Sequence, residues 1–152
     1  MVDADSGLFT VAVFQDAAWA QKALQALARA GFAPASLTVI AADAPASRAL
    51  IETTFGAAAQ AFEMAHVGPV VARGPLVDLL QGASGDLARL GLAGTLRRAG
   101  FQSHDCRIFE VLTGRGGVLV AIRDEPRASD ALAVCHSYGG GNAAIGAWHG
   151  RV

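Results

Sequence analysis

Two stretches of the chain share one order of apolar and polar positions. Residues 8–14 form an apolar run rich in β-branched and aromatic side chains, and Asp16, a helical stripe and Gly31 follow it. This order predicts a strand, a helix that Asp16 caps, and a helix end at a glycine, which readily adopts the left-handed conformation. The stripe has the i, i+3, i+4, i+7 spacing of an amphipathic helix and consists of Ala20, Ala23, Leu24 and Leu27.

A shift of 108 positions aligns the second stretch with the first. Residues 119–122 then match the strand, Asp124 matches the cap, and Gly139 matches the terminating glycine. A further apolar run follows each glycine, at residues 36–42 and, less clearly, at 143–148. Two such βαβ units, residues 8–42 and 116–148, predict an α+β fold built as a ferredoxin-like split βαβ pair.

The residues between the two units have a different pattern. A helical period covers residues 49–63, and two Gly-Pro pairs within 64–75 then predict loops or helix breaks. Helical periods resume at 76–81, 86–99 and 104–113, the last with a predicted inward stripe of Ile108, Val111 and Leu112. We therefore expect one domain, residues 1–152, with a helical insertion, residues 43–115, between its halves.

The predicted strands are apolar on both faces, whereas the two helices of a ferredoxin-like sandwich cover one face. The insertion, a second subunit, or both together would have to cover the other face. We expect both, in a homodimer or a larger homo-oligomer, because an exposed apolar face of that size is unusual on a monomer. The side chains predicted at this interface are Val11, Val13, Val67, Val70, Leu76 and Leu96.

Composition and charge exclude several classes of function. The chain is 53% apolar with a net charge of −1, and its one basic doublet is Arg97 and Arg98, so a nucleic-acid partner is not expected. Membrane insertion is not expected either, because no uninterrupted apolar run approaches the roughly 20 residues of a spanning helix. The N-terminus is acidic, unlike the basic start of a secretory signal. Cys106 and Cys135 are therefore predicted to be free thiols in the cytoplasm.

Candidate chemistry is sparse. His104, Cys106, His136 and His149 are the metal candidates, but neighbours at i+1 or i+2 point to different helix faces. The glycine-rich segments follow a helix or precede a strand, so they lack the geometry of phosphate-binding loops, and no cofactor is predicted. The aromatic residues Trp19, Tyr138 and Trp148 are the candidates for lining a small-ligand pocket.

Three segments carry a resemblance to a known family. They are D-x-x-x-A-x-x-A-L-x-x-L-x-x-x-G-F from Asp16 to Phe32, V-G-P-V-V-A-R-G-P-L at 67–76, and G-G-V-L-V-A-I at 116–122. Together they resemble the bacterial general-stress-protein domain family, whose members are often labelled low-temperature-induced or heat-induced stress proteins. The resemblance implies a stress-related role of unknown biochemistry. Many members have a membrane-associated glycine-rich middle, but charged side chains interrupt it here, namely Glu52, Glu63, Arg73, Asp78, Asp86 and Arg89.

These observations favour a non-enzymatic, stress-related protein that acts through self-association or protein–protein contacts. The alternative is a sensor of a small ligand or metal that uses the cleft between the halves and the insertion, by analogy with other ferredoxin-like folds. An enzyme ranks third, because no acid, base and nucleophile converge in the sequence pattern.

Overall fold

A computed structural model describes residues 9–99, 103–123, 128–138 and 147–150. These residues form six helices and six strands, and a 3₁₀ turn, Pro34–Ser36, precedes the second strand. The strands are β1 (Phe9–Phe14), β2 (Leu37–Ala42), β3 (Gln60–Met64), β4 (Gly68–Arg73), β5 (Val118–Ile122) and β6 (Ala147–Gly150). The helices are α1 (Ala17–Arg29), α2 (Pro45–Phe55), α3 (Pro75–Gln81), α4 (Asp86–Arg98), α5 (Ser103–Gly114) and α6 (Ala128–Ser137).

The strands form one antiparallel sheet in the order β3-β4-β2-β5-β1-β6. Because β1 and β2 each pair antiparallel with β5, they run parallel to each other with β5 between them. In the same way β5 and β6 run parallel to each other on either side of β1. The α+β class is therefore confirmed.

Helices cover both faces of the sheet, and each face has its own apolar cluster. The first cluster packs α1, α2 and α6 against one set of alternating strand residues, including Phe14, Val39 and Val120. The second cluster packs α3, α4 and α5 against the other set, including Val13, Ile40 and Leu119. The insertion thus supplies the cover of the second face.

Helix α1 forms as its sequence predicts. Asp16 has an extended backbone and its Oδ1 accepts a hydrogen bond from the N–H of Trp19 (3.0 Å), which satisfies one of the free amides of the first turn. The predicted stripe is the buried face of the helix: Ala20, Ala23, Leu24 and Leu27 are all buried. Its alanines allow α1 to lie close to the sheet.

The insertion is not wholly helical, which corrects the prediction for residues 43–115. Helix α2 ends at Phe55 because Gly56 takes the left-handed conformation (φ 67°), and its N–H donates to the Glu52 carbonyl. The hairpin β3–β4 follows where the sequence predicts the end of a helix and then loops. Pro69 is tolerated at the second position of β4, where it costs at most one hydrogen bond of the ladder.

None of the described helices combines the length and the apolar character that crossing a membrane requires.

Candidate functional site

The side chains predicted to form an interface lie inside the monomer. Val11, Val13, Val70, Leu76 and Leu96 are each at most 1% exposed and belong to the second cluster, beneath α3–α5. Val67 is partly buried against the same cluster. The predicted contact with another subunit is therefore wrong for this surface, because the chain's own helices occupy it.

The aromatic residues predicted to bind a ligand have different surroundings. Trp19 on α1 is 40% exposed, and Lys22 Nζ lies 4.7 Å from the centre of its indole ring. Tyr138, after α6, is half-buried and packs against the first cluster. The side chain of Trp148 lies outside the described residues.

The metal candidates do not form a described site. His104 is exposed on α5, whereas the neighbouring Cys106 is buried in the second cluster, and burial raises the pKa of its thiol to about 11. The side chains of His136 and His149 lie outside the described residues. Among the side chains that the structure does describe, no three His, Cys, Asp or Glu residues are close enough to hold a metal ion.

The two cysteines are free thiols and lie on opposite sides of the sheet. Cys106 belongs to the second cluster and Cys135 to the first. Burial raises the pKa of Cys135 to about 12, so both thiols are neutral at physiological pH. Because the sheet separates them, a disulfide between them would require the fold to open.

Strand β3 forms one end of the sheet. In the part of the chain that the structure describes, its one neighbouring strand is β4, with Phe62 opposite Val70 and Glu63 opposite Pro69. The other side of its backbone is unpaired in these residues. An unpaired edge offers N–H and C=O groups to a strand from another chain.

One hydrogen bond determines which backbone groups of β3 face outward. The N–H of Asp43, at the end of β2, donates to the carbonyl of Pro69 (3.0 Å). The carbonyl of Pro69 therefore points towards β2. Because the N–H and C=O of one strand residue point to the same side, Pro69 makes no ladder hydrogen bond to β3, and its pair with Glu63 is a non-hydrogen-bonded one. The N–H and C=O of Glu63 therefore point away from β4, and those of Ala61, two residues earlier, do the same.

The side chains of β3 leave this edge accessible. Gln60, Ala61 and Glu63 are exposed, Phe62 is partly buried against the second cluster, and Met64 is buried. Native sheets commonly protect an edge with lysine, proline or a bulge. Strand β3 carries neither lysine nor proline, and its single charge is Glu63.

A cleft of about 390 Å³ lies where the first half meets the insertion. Arg73 and Asp78 place opposite charges in its lining, and Phe55 adds an aromatic wall. Arg73 Nη1 donates to the carbonyl of Ala58 (3.0 Å), which fixes one side of its guanidinium. The volume is in the range of small-molecule sites, and neither Trp19 nor Tyr138 belongs to the lining.

No protein-family model matches the chain, and the searches of curated proteins and of solved structures found no match. The resemblance to general stress proteins therefore stays a prediction.

Several carboxylates have structural partners. Asp86 accepts hydrogen bonds from Arg98 and Arg89, which hold its pKa below the ordinary value. Glu110 Oε2 accepts from the N–H of Ala93 (3.1 Å), just after Gly91 interrupts α4 with a φ of 88°. Both carboxylates therefore hold helix α4 in place.

The edge of β3 was missed at the sequence level. The apolar residues Phe55, Ala58 and Phe62 fit a helical period, which concealed the break at Gly56. The signals that could have revealed the hairpin are Gly56 itself and the Gly68–Pro69 pair.

Proposed function

We propose that the chain is a non-enzymatic association module whose sheet edge at β3 accepts an extended strand from another polypeptide. The observation that carries the proposal is the outward direction of the Ala61 and Glu63 backbone groups on an accessible edge. Helices already cover both faces of the sheet. Strand addition uses backbone hydrogen bonds for affinity and alternate side chains for specificity.

The cellular setting is part of the same proposal. The resemblance to general stress proteins supports a stress-related role. The two buried thiols, one on each side of the sheet, support the reducing cytoplasm as the compartment.

We also propose that β1–α1–β2 and β5–α6–β6 are a ferredoxin-like split pair. The strand order β2-β5-β1-β6 supports it, because each unit has one strand of the other unit between its own two strands. The packing of α1 and α6 in the first cluster also supports it. In this arrangement β3 and β4 extend the sheet beyond the pair, and β3 is the new edge.

Ala61→Pro is expected to weaken association about 10-fold or more. Proline removes the outward N–H of residue 61 without removing a hydrogen bond to β4, since that N–H points away from β4. Each lost hydrogen bond contributes about 0.5–1.5 kcal/mol, and a symmetric complex loses two. Light scattering on a sizing column, over a range of protein concentrations, gives the dissociation constant.

Ala61→Val is the matched control, because it changes the same exposed side chain and keeps the N–H. It should associate as the wild type does. Circular dichroism and thermal unfolding check that the proline variant keeps its fold. A wild type that stays monomeric at every concentration, or a proline variant that associates normally, would contradict the proposal.

A second candidate function is a small-ligand sensor that uses the cleft beside Arg73. The guanidinium of Arg73 and the wall at Phe55 favour a small organic carboxylate with an apolar body. The probe is 3-phenylpropionate. At about five times its dissociation constant it should add roughly 1 kcal/mol of stability and raise the unfolding midpoint by about 2–4 °C.

Arg73→Gln should remove this shift, whereas Arg123→Gln, at an exposed arginine outside the cleft, should keep it. The sensor hypothesis is refuted by a wild type that shows no shift, or by an Arg73→Gln variant that shows the full shift.

A further inference from the structure

We propose that β3 pairs antiparallel with β3 of a second copy of this chain, and that Phe62 lies opposite the partner's Phe62. The proposal rests on the association function and names its partner and its register. The result would be a two-fold symmetric dimer with one sheet continuing across both subunits.

Symmetry and backbone direction together restrict the pairing. A two-fold axis makes identical edge strands run antiparallel, and the groups available on each edge are those of Ala61 and Glu63. With Phe62 at the axis, Ala61 of each copy faces Glu63 of the other. Each such pair exchanges two bonds, so the register forms about four backbone hydrogen bonds.

A register centred on Glu63 is disfavoured for two reasons. It places two Glu63 carboxylates directly opposite each other, and like charges at that position are destabilising. It also places Ala61 opposite Ala65, whose N–H already donates to the carbonyl of Ala88 in α4 (2.9 Å).

A register centred on Ala61 extends beyond the strand. It places Glu63 opposite Ala59, which precedes β3. The neighbouring carbonyl of Ala58 already accepts from Arg73. The register centred on Phe62 uses strand residues alone, so the observed contacts favour it.

The side chains of β3 fit the same register. Gln60, Phe62 and Met64 point to the face of the sheet that α3–α5 cover, and Phe62 is only partly buried there. Opposite residues of a non-hydrogen-bonded pair have Cα atoms about 4.5 Å apart, which brings the two Phe62 rings into contact. The two Glu63 residues become diagonal neighbours, about 7–8 Å apart.

Crosslinking through Phe62→Cys tests the register. The two native cysteines are at most 1% exposed, so the new thiol is the accessible one among the described cysteines. A Cα separation of about 4.5 Å is within the range of disulfides. Under mild oxidation with oxidised glutathione, we expect at least about 10-fold more disulfide-linked dimer than Gln60→Cys forms at the same concentration.

Gln60→Cys is a demanding control, because it is exposed on the same strand and on the same face. In the proposed register it lies opposite Met64, so two copies of residue 60 are about 13 Å apart along the strands. A second measurement keeps Phe62 in place. A mixture of Ala61→Cys and Glu63→Cys chains, one of them carrying a size tag, should crosslink between the two variants more than either does with itself.

The outcomes separate the register from the function. Suppose that Ala61→Pro weakens the dimer, but that Ala61→Cys or Glu63→Cys crosslinks with itself better than Phe62→Cys does. This result overturns the register and leaves the association function intact. A wild type that is monomeric throughout overturns both. Crosslinking of Phe62→Cys above the control, together with a dimer that the proline variant weakens, supports both.

Discussion

Val13→Glu is expected to unfold the protein. Val13 is 1% exposed, and its side chain belongs to the cluster between the sheet and α3–α5. An unpaired carboxylate there costs several kcal/mol, which is comparable with the total stability of about 5–15 kcal/mol of a typical domain. Circular dichroism and urea denaturation should show a loss of cooperative unfolding.

Val111→Glu is the matched control for this prediction. It makes the same chemical change on α5, at a side chain that is 42% exposed, and surface changes usually alter stability by no more than about 0.5 kcal/mol. If Val13→Glu instead gives a well-folded monomer, the second face of the sheet is open in solution, and the cover by the insertion is wrong.

Gly74→Ala is expected to destabilise the fold by about 2–6 kcal/mol, from backbone strain and overpacking together. Gly74 joins β4 to α3 with a φ of 130°, a region that residues with a Cβ rarely adopt. A Cβ at this position would also overlap the carbonyl oxygen of Leu37 and lie 2.5 Å from Thr38 Oγ1. Thr38 Oγ1 is the buried acceptor of the Leu76 N–H, so the substitution would also disturb the start of α3.

Gly56→Ala is the reference for a glycine with a positive φ and no close neighbours. Gly56 also has a positive φ, 67°, but a Cβ there would meet no atom within 4 Å. The expected cost is therefore only the left-handed backbone, about 1–2 kcal/mol. Urea denaturation of both variants measures the difference, and equal costs would show that neither the close approach of Gly74 to β2 nor its φ of 130° adds to the cost.

The strands and helices with a local signal could be predicted from sequence. The cap at Asp16 and the stripe through Leu24 predicted α1 and its buried face, and continuous apolar runs predicted β1, β2 and β5. The hairpin β3–β4 could not be predicted in this way, because the alternation in β3 covers only five residues and alanines flank it on both sides, at residues 57–59 and 65.

The predicted inward face of α5 was only partly right. Of the predicted stripe Ile108, Val111 and Leu112, Leu112 packs against the second cluster, whereas Val111 is 42% exposed. The fully buried side chains are Asp105, Cys106, Phe109 and Thr113. Both sets have helical spacing, so periodicity alone does not distinguish them. Packing against the sheet determines which face of α5 is buried, because Phe109 packs in the cluster that β1 and β5 share with α3–α5.

The candidate site shows a more general limit of prediction from sequence. Hydrophobicity correctly indicated that the second face of the sheet is covered, but it does not distinguish cover by the same chain from cover by another chain. The edge of β3 depends on backbone direction, which the Asp43–Pro69 hydrogen bond determines and which no side-chain pattern records.

The two cysteines lie on opposite faces of the sheet, so each thiol reports on the opening of a different helical layer. Cys106 becomes accessible when the layer formed by α3–α5 opens, and Cys135 when the layer formed by α1, α2 and α6 opens. Partial unfolding that exposes one thiol and not the other would therefore reveal which helical layer separates first from the sheet. The native chain thus carries one probe for each half of its core.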